Sequence, residues 1–212
     1  MGGSSNGSGN GGASSTNGGT SNAGGGSGGS GSSSAGAGGS AAAAEDDGPG
    51  AGETGIFVGV TAAHNETREA LGLPDLTWSP EIAEFAQQWA DNLADEQCGS
   101  IAHRDQRQYG ENIAMSGSTR EGDVFSPEDA VAGWVAEVAC WDFGTINGTE
   151  RCDAQCATDL SSNGCGHYTQ VVWRNTQRVG CGYATCFSAP FNFQVWVCNY
   201  DPPGNFIGQA PY

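Results

Sequence analysis

Eight cysteines, all in the C-terminal part of the chain, constrain the fold more than any other feature. They stand at 98, 140, 152, 156, 165, 181, 186 and 198, an even number with no CxxC pair. Zinc ribbons and thioredoxin-type motifs need such close pairs, so the scattered spacing reads as a disulfide framework made in an oxidising compartment. Spacing alone does not give the connectivity. With all eight paired, no thiol is left for nucleophilic catalysis.

The N-terminal part is of a different kind. After Met1, residues 1–44 are almost wholly Gly, Ser, Asn, Thr and Ala, with no charged side chain. Such a run cannot bury enough apolar surface to offset its ordering entropy. We expect a disordered Gly/Ser/Ala-rich linker over 1–53, with its first 44 residues spanning about 35–40 Å as a flexible coil, and one domain over 54–212. No signal-like or membrane-spanning stretch occurs in the chain as read. A disulfide-rich domain without an export signal points to a precursor that began further upstream. The Gly/Ser run fits a tether left after a lipid-modified cysteine, and equally a linker added for expression.

The formal charge is −17, and all seven basic residues are arginine. That balance argues against nucleic acid and anionic lipid as partners, because both carry the same sign. Membrane association is expected only through an N-terminal lipid anchor.

Periodicity gives four helices. The first covers Gly55 to Leu71, with Ile56, Val60, Ala63, Thr67 and Leu71 inward and Gly72 as the stop. The second opens at Ser79-Pro80-Glu81 and buries Ile82, Phe85, Ala86, Trp89 and Leu93. The third opens at Ser126-Pro127-Glu128 and turns Ala130, Val131, Trp134 and Val138 inward. A short fourth helix covers His167 to Trp173. Strands are expected at 109–116, 179–186 and 194–199. Asp201-Pro202-Pro203-Gly204-Asn205 reads as a rigid turn. Of the aromatic residues nearby, Trp196 is expected in the core, and the phenylalanines beside Pro190 on the surface. Leading helices followed by paired strands make an α+β layered domain.

The chain closes with GHYTQVVW (166–173), GCGYATC (180–186) and CNYDPPGNFIG (198–208). These ordered segments resemble the signature motifs of the CAP superfamily (the SCP domain of cysteine-rich secretory, antigen 5 and plant pathogenesis-related proteins). The ending NYDPPGNFIGQAPY is most similar to the pathogenesis-related branch. The resemblance covers about Val60 to Tyr212 and implies a three-layer α-β-α sandwich. It also implies the pairings Cys98–Cys186 and Cys181–Cys198. Cys140, Cys152, Cys156 and Cys165 would then form two bridges, where the plant pattern carries one, so their pairing stays open.

By the same resemblance, a cleft tetrad of two histidines and two glutamates maps onto this chain. His103 lies in CGSIAHR, Glu111 in YGENIA, Glu137 in GWVAEV and His167 in GHYTQ. Two neutral imidazoles, His103 and His167, with neighbouring carboxylates suit a weakly held Zn2+ or another divalent cation. The same four groups also suit a closed hydrogen-bond network on the cleft floor. His64, the remaining histidine, sits beside an apolar stripe and reads as structural. Asn65-Glu66-Thr67 and Asn147-Gly148-Thr149 are glycosylation sequons by pattern alone. Asp159–Gly164 lacks the acid spacing of a calcium loop.

Three function classes follow. The first is a secreted or cell-surface binding module for a sterol, fatty acid or peptide ligand or a protein partner. The second is a metal-dependent, peptidase-like hydrolase using the same cleft. The third is a structural or adhesive surface protein. Neither a G-x-S-x-G elbow nor an HExxH helix is present, which favours the binding module over the hydrolase and leaves no catalytic residue assigned.

Overall fold

The computed structural model describes residues 48–105, 108–146 and 165–212. The expected linker up to residue 47, the second sequon, the Asp159–Gly164 run, Cys152 and Cys156 lie outside them. Contacts with the domain begin before residue 54. The Trp78 amide donates to the Pro49 carbonyl, and the Glu53 carboxylate accepts from the amides of Gly59 and Thr61.

The first helical stretch is interrupted. A 3-10 turn at Gly55–Phe57 is followed by Gly59 at φ 99°, and α1 runs Val60–Ala70. Its inward face is rotated from the expected one. Val60, Thr61, His64, Asn65 and Arg68 are buried, while Ile56 and Leu71 are each 36% exposed. Strand β1 (Thr77–Trp78) was not anticipated, being only two residues long. Helix α2 (Pro80–Glu96) starts as expected, with the Ser79 hydroxyl accepting from the Ile82 amide. It buries Ile82, Ala86, Ala90 and Leu93, with Phe85 and Trp89 half-exposed.

Strand β2 (Gly110–Ser118) precedes α3 (Pro127–Val135), which opens on a capping box between Ser126 and Asp129. Beyond Val135 the chain tightens into a 3-10 turn, Ala136–Cys140. Three residues per turn shift the helical face, so Val138 is 46% exposed rather than inward and Glu137 is buried. Helix α4 (Gly166–Val171) and the hairpin β3 (Arg178–Ser188) and β4 (Phe191–Asp201) complete the domain.

The sheet order is β1-β3-β4-β2, with β1 parallel to β3 and the other pairs antiparallel. Alternation along β4 divides the core in two. Trp196, Cys198 and Tyr200 pack with α1, α3 and α4, whereas Val195 and Val197 pack with Ala86, Ala90 and Leu93 of α2. The result is the expected three-layer α-β-α sandwich. Cys98–Cys186 ties the end of α2 to β3, and Cys181–Cys198 joins register partners of β3 and β4. Cys140 and Cys165 are each disulfide-bonded.

Candidate cleft and its His–Glu pairs

The four tetrad residues come from four different elements. His103 lies in the loop after α2, Glu111 on β2, Glu137 on the 3-10 turn after α3, and His167 in the first turn of α4. They form two separate pairs. His103 Nδ1 is 2.8 Å from Glu111 Oε1, and His167 Nδ1 is 2.6 Å from Glu137 Oε1. Both glutamates are nearly inaccessible, with side-chain exposures of 1% and 3%, while the imidazoles are 39% and 24% exposed.

Each carboxylate does more than hold a ring. Glu111 Oε1 also accepts the Arg104 amide, and Asn199 Nδ2 approaches Glu111 Oε2 at 3.5 Å. Glu137 Oε2 accepts the amides of His167 and Tyr168, both at 2.9 Å. A carboxylate partner fixes Nδ1 as the donor. In the neutral ring, Nε2 then carries the lone pair, and neither Nε2 has a hydrogen-bond partner among the described residues.

A buried polar chain supports the His167 side. His64 Nδ1 donates to the Val60 carbonyl at 2.8 Å, so the Tyr200 hydroxyl donates to His64 Nε2, also at 2.8 Å. Tyr200 in turn accepts from Asn112 Nδ2, whose amide also reaches the His167 carbonyl at 3.1 Å. His64 is wholly buried, and desolvation pushes its pKa down to about 4, so it is neutral in the fold. Burial likewise raises the Tyr200 hydroxyl above its usual range. Sequence reasoning assigned His64 a structural place but passed over Asn112, Asn199 and Tyr200. Asn112 follows Glu111 directly, and Asn199-Tyr200 stands in CNYD; only their neighbours' motif marked them.

The Asp201–Asn205 turn borders α4. Asn205 takes φ 59°, donates to the Gly166 carbonyl and accepts from the Thr169 hydroxyl. Gly204 is required by close approach instead, since a Cβ there would meet the Trp173 ring and the Gln170 amide. Asn65, the first sequon's acceptor, is 4% exposed and hydrogen-bonded through both side-chain atoms to Leu76, so it is closed to glycosylation in the folded domain. Trp196 is fully buried, while Phe187 and Phe191 are 66% and 40% exposed.

A concavity runs between α1 and α3, with a volume of about 670 Å³. Ala62, Ala63 and Ala70 face Val131, Ala132 and Val135 across it, and its only charged lining residues are Glu66 and Glu128.

The family model of the cysteine-rich secretory proteins (CAP) matches residues 61–200. Pathogenesis-related protein 1A of Nicotiana tabacum is 41% identical over 150 residues, which cover 71% of this chain and 77% of that protein. The solved structure of BmVAL-1 superposes with a TM-score of 0.56 at 24% identity, over 72% of this chain and 79% of that one. That of NaASP2, determined with Zn2+, gives 0.52 at 22% identity, over 72% and 82%. These two share the fold. The chain therefore belongs to the cysteine-rich secretory protein family, and what folds around its two His–Glu pairs is a CAP domain.

Proposed function

We propose that this protein is a secreted or cell-surface CAP-domain binding module. Its cleft holds a divalent cation weakly, and its α1/α3 groove takes a neutral sterol-type ligand. The observation that carries the reading is the pairing itself: two buried glutamates orient two partly exposed imidazoles, whose Nε2 atoms make no hydrogen bond among the described residues. Such a frame suits reception of a ligand. Among the described residues, no three or more His, Cys, Asp or Glu side chains form a metal-binding group. Resident zinc sites use three or four protein ligands, so the donor set fits a loosely held cation and not a permanent one. A cation at His103 and His167 would offer positive charge to a ligand oxygen. Secretion is supported by the disulfide framework, since such bridges persist in oxidising compartments.

The groove supports the ligand class. Its walls are alanine and valine, and its charged residues are both acids. A fatty-acid carboxylate would meet like charge there, whereas a sterol carries none.

Calorimetric titration of the oxidised chain with ZnCl2 tests the cleft. Saturable binding is expected at about pH 7 and should be lost when excess EDTA is present. Glu137→Gln should weaken zinc by about 10–100-fold by loosening the His167 ring, and His167→Ala should weaken it at least as much. Absence of saturable binding, or parent-like affinity in both variants, would reject cation binding at this cleft.

A further inference from the structure

A separate concavity, of about 760 Å³, lies between α2 and the loop that follows it. That volume is ordinary for a small-ligand site. Phe85, Gln88, Trp89 and Asn92 recur at helical spacing and present one face of α2. Arg104, Asp105 and Gln108 complete the lining from the loop. The Arg104 guanidinium lies flat over the Phe85 ring, 3.8 Å from its centroid, and 5.4 Å from that of Trp89.

The donors of Arg104 are only partly used. Nη2 donates to the Phe85 carbonyl at 2.8 Å, and Nε is buried without a partner. Nη1 has no partner among the described residues, nor do the side-chain amides of Gln88 and Asn92.

Charge narrows the ligand. The Arg104 and Asp105 charges cancel within the lining, and the chain carries −17 overall, a field that disfavours anions. What remains is an aromatic wall, two unspent amides, a guanidinium and a carboxylate. Adjacent hydroxyls suit that set, because each both donates and accepts. One can donate to Asp105 while its neighbour accepts from Arg104, and the C–H face of a sugar ring can lie against Trp89.

We propose that this pocket binds a neutral oligosaccharide, with Arg104 and Asp105 reading adjacent hydroxyls and Gln88 and Asn92 flanking them. The site is separate from the α1/α3 groove and does not depend on a cation at the cleft.

The test is two-dimensional NMR of the full oxidised chain, titrated with cellohexaose, laminarihexaose and, as an anionic comparison, tri-galacturonate. Saturable shifts should appear at Gln88, the Trp89 indole, Asn92 and Arg104 with at least one neutral hexasaccharide, unchanged by a metal chelator. The double variant Gln88→Ala/Asn92→Ala changes two α2 side chains that make no hydrogen bond among the described residues. It should keep its thermal midpoint and weaken binding at least about tenfold. His167→Ala should bind the sugar as the parent does. Failure of both neutral sugars to saturate, tighter binding of tri-galacturonate, or parent-like affinity in the double variant would overturn the proposal.

Discussion

Arg68 and His64 show polar residues filling the buried face of α1, which is rotated from the stripe that hydrophobic periodicity marks as inward. Arg68 is fully buried, yet its guanidinium donates to the carbonyls of Pro74, Val171, Trp173 and Thr176. Those bonds satisfy the turn after α4 with α1's own side chain, a pattern that no periodicity count can reveal. Burial lowers the Arg68 pKa only to about 10, so it stays charged at neutral pH. His64 behaves oppositely, with its pKa depressed from 6.5 to about 4 by desolvation. Between those values the unfolded chain takes up a proton that the folded chain refuses, so stability falls as pH falls through that window. The loss amounts to about 3 kcal/mol once pH drops below 4. Urea unfolding of the parent and of His64→Gln from pH 7 to pH 4 should show this as a difference in slope. The variant should start less stable but lose about 3 kcal/mol less across the window. Parallel curves would mean that His64 takes up its proton over the same pH range in the folded and unfolded chain.

At the scale of elements, the motif GCGYATC encoded more than a strand. Gly180 and Gly182 sit on the β3 face toward α2, where a Cβ would run into the backbone of Ala83 and Gln87 respectively. The intervening Cys181 and Tyr183 face the opposite core. Gln87 completes the seam, donating to the Tyr183 carbonyl and accepting the Tyr183 amide. A Gly at every second position thus reports a helix lying directly on a strand, whereas sequence reading took only strand and disulfide from it. Gly182→Ala should push α2 outward at a cost of about 1–3 kcal/mol, the usual penalty of overpacking. Ser116→Ala, half-exposed on β2, serves as the control and should stay within about 0.5 kcal/mol of the parent. Equal midpoints for Gly182→Ala and the parent would show that the α2–β3 contact is looser than described. The starts of α2 and α3 were legible because Ser-Pro-Glu carries cap, proline and dipole together. The end of α3 was not, because the change to 3-10 geometry leaves no residue-type signature.

The whole molecule places two of its concavities, the groove between α1 and α3 and the pocket beside α2, in different parts of the sandwich from the His–Glu pairs. The residues of the cleft were legible through motif resemblance, since each stands in a recognisable segment. Which glutamate meets which ring was not, because strand parity and the 3-10 turn decide it. The groove left even less trace in the sequence. Ala62, Ala63, Ala70 and Ala132 read as ordinary helix formers, and only the packing of α1 against α3 turns their small side chains into a slot. That origin makes the slot easy to fill without touching the core, because Ala132 is exposed. Ala132→Trp should keep the thermal midpoint of the parent and lower affinity for cholesterol, presented in detergent-free dispersion, by at least about tenfold. Palmitate should bind the parent more weakly than cholesterol, and Glu66→Gln/Glu128→Gln should narrow that gap by removing the repulsion from its carboxylate. Palmitate preferred by the parent would reverse the assigned ligand class. Cholesterol binding untouched by Ala132→Trp would move the sterol site away from the groove while leaving the His–Glu cleft as it stands.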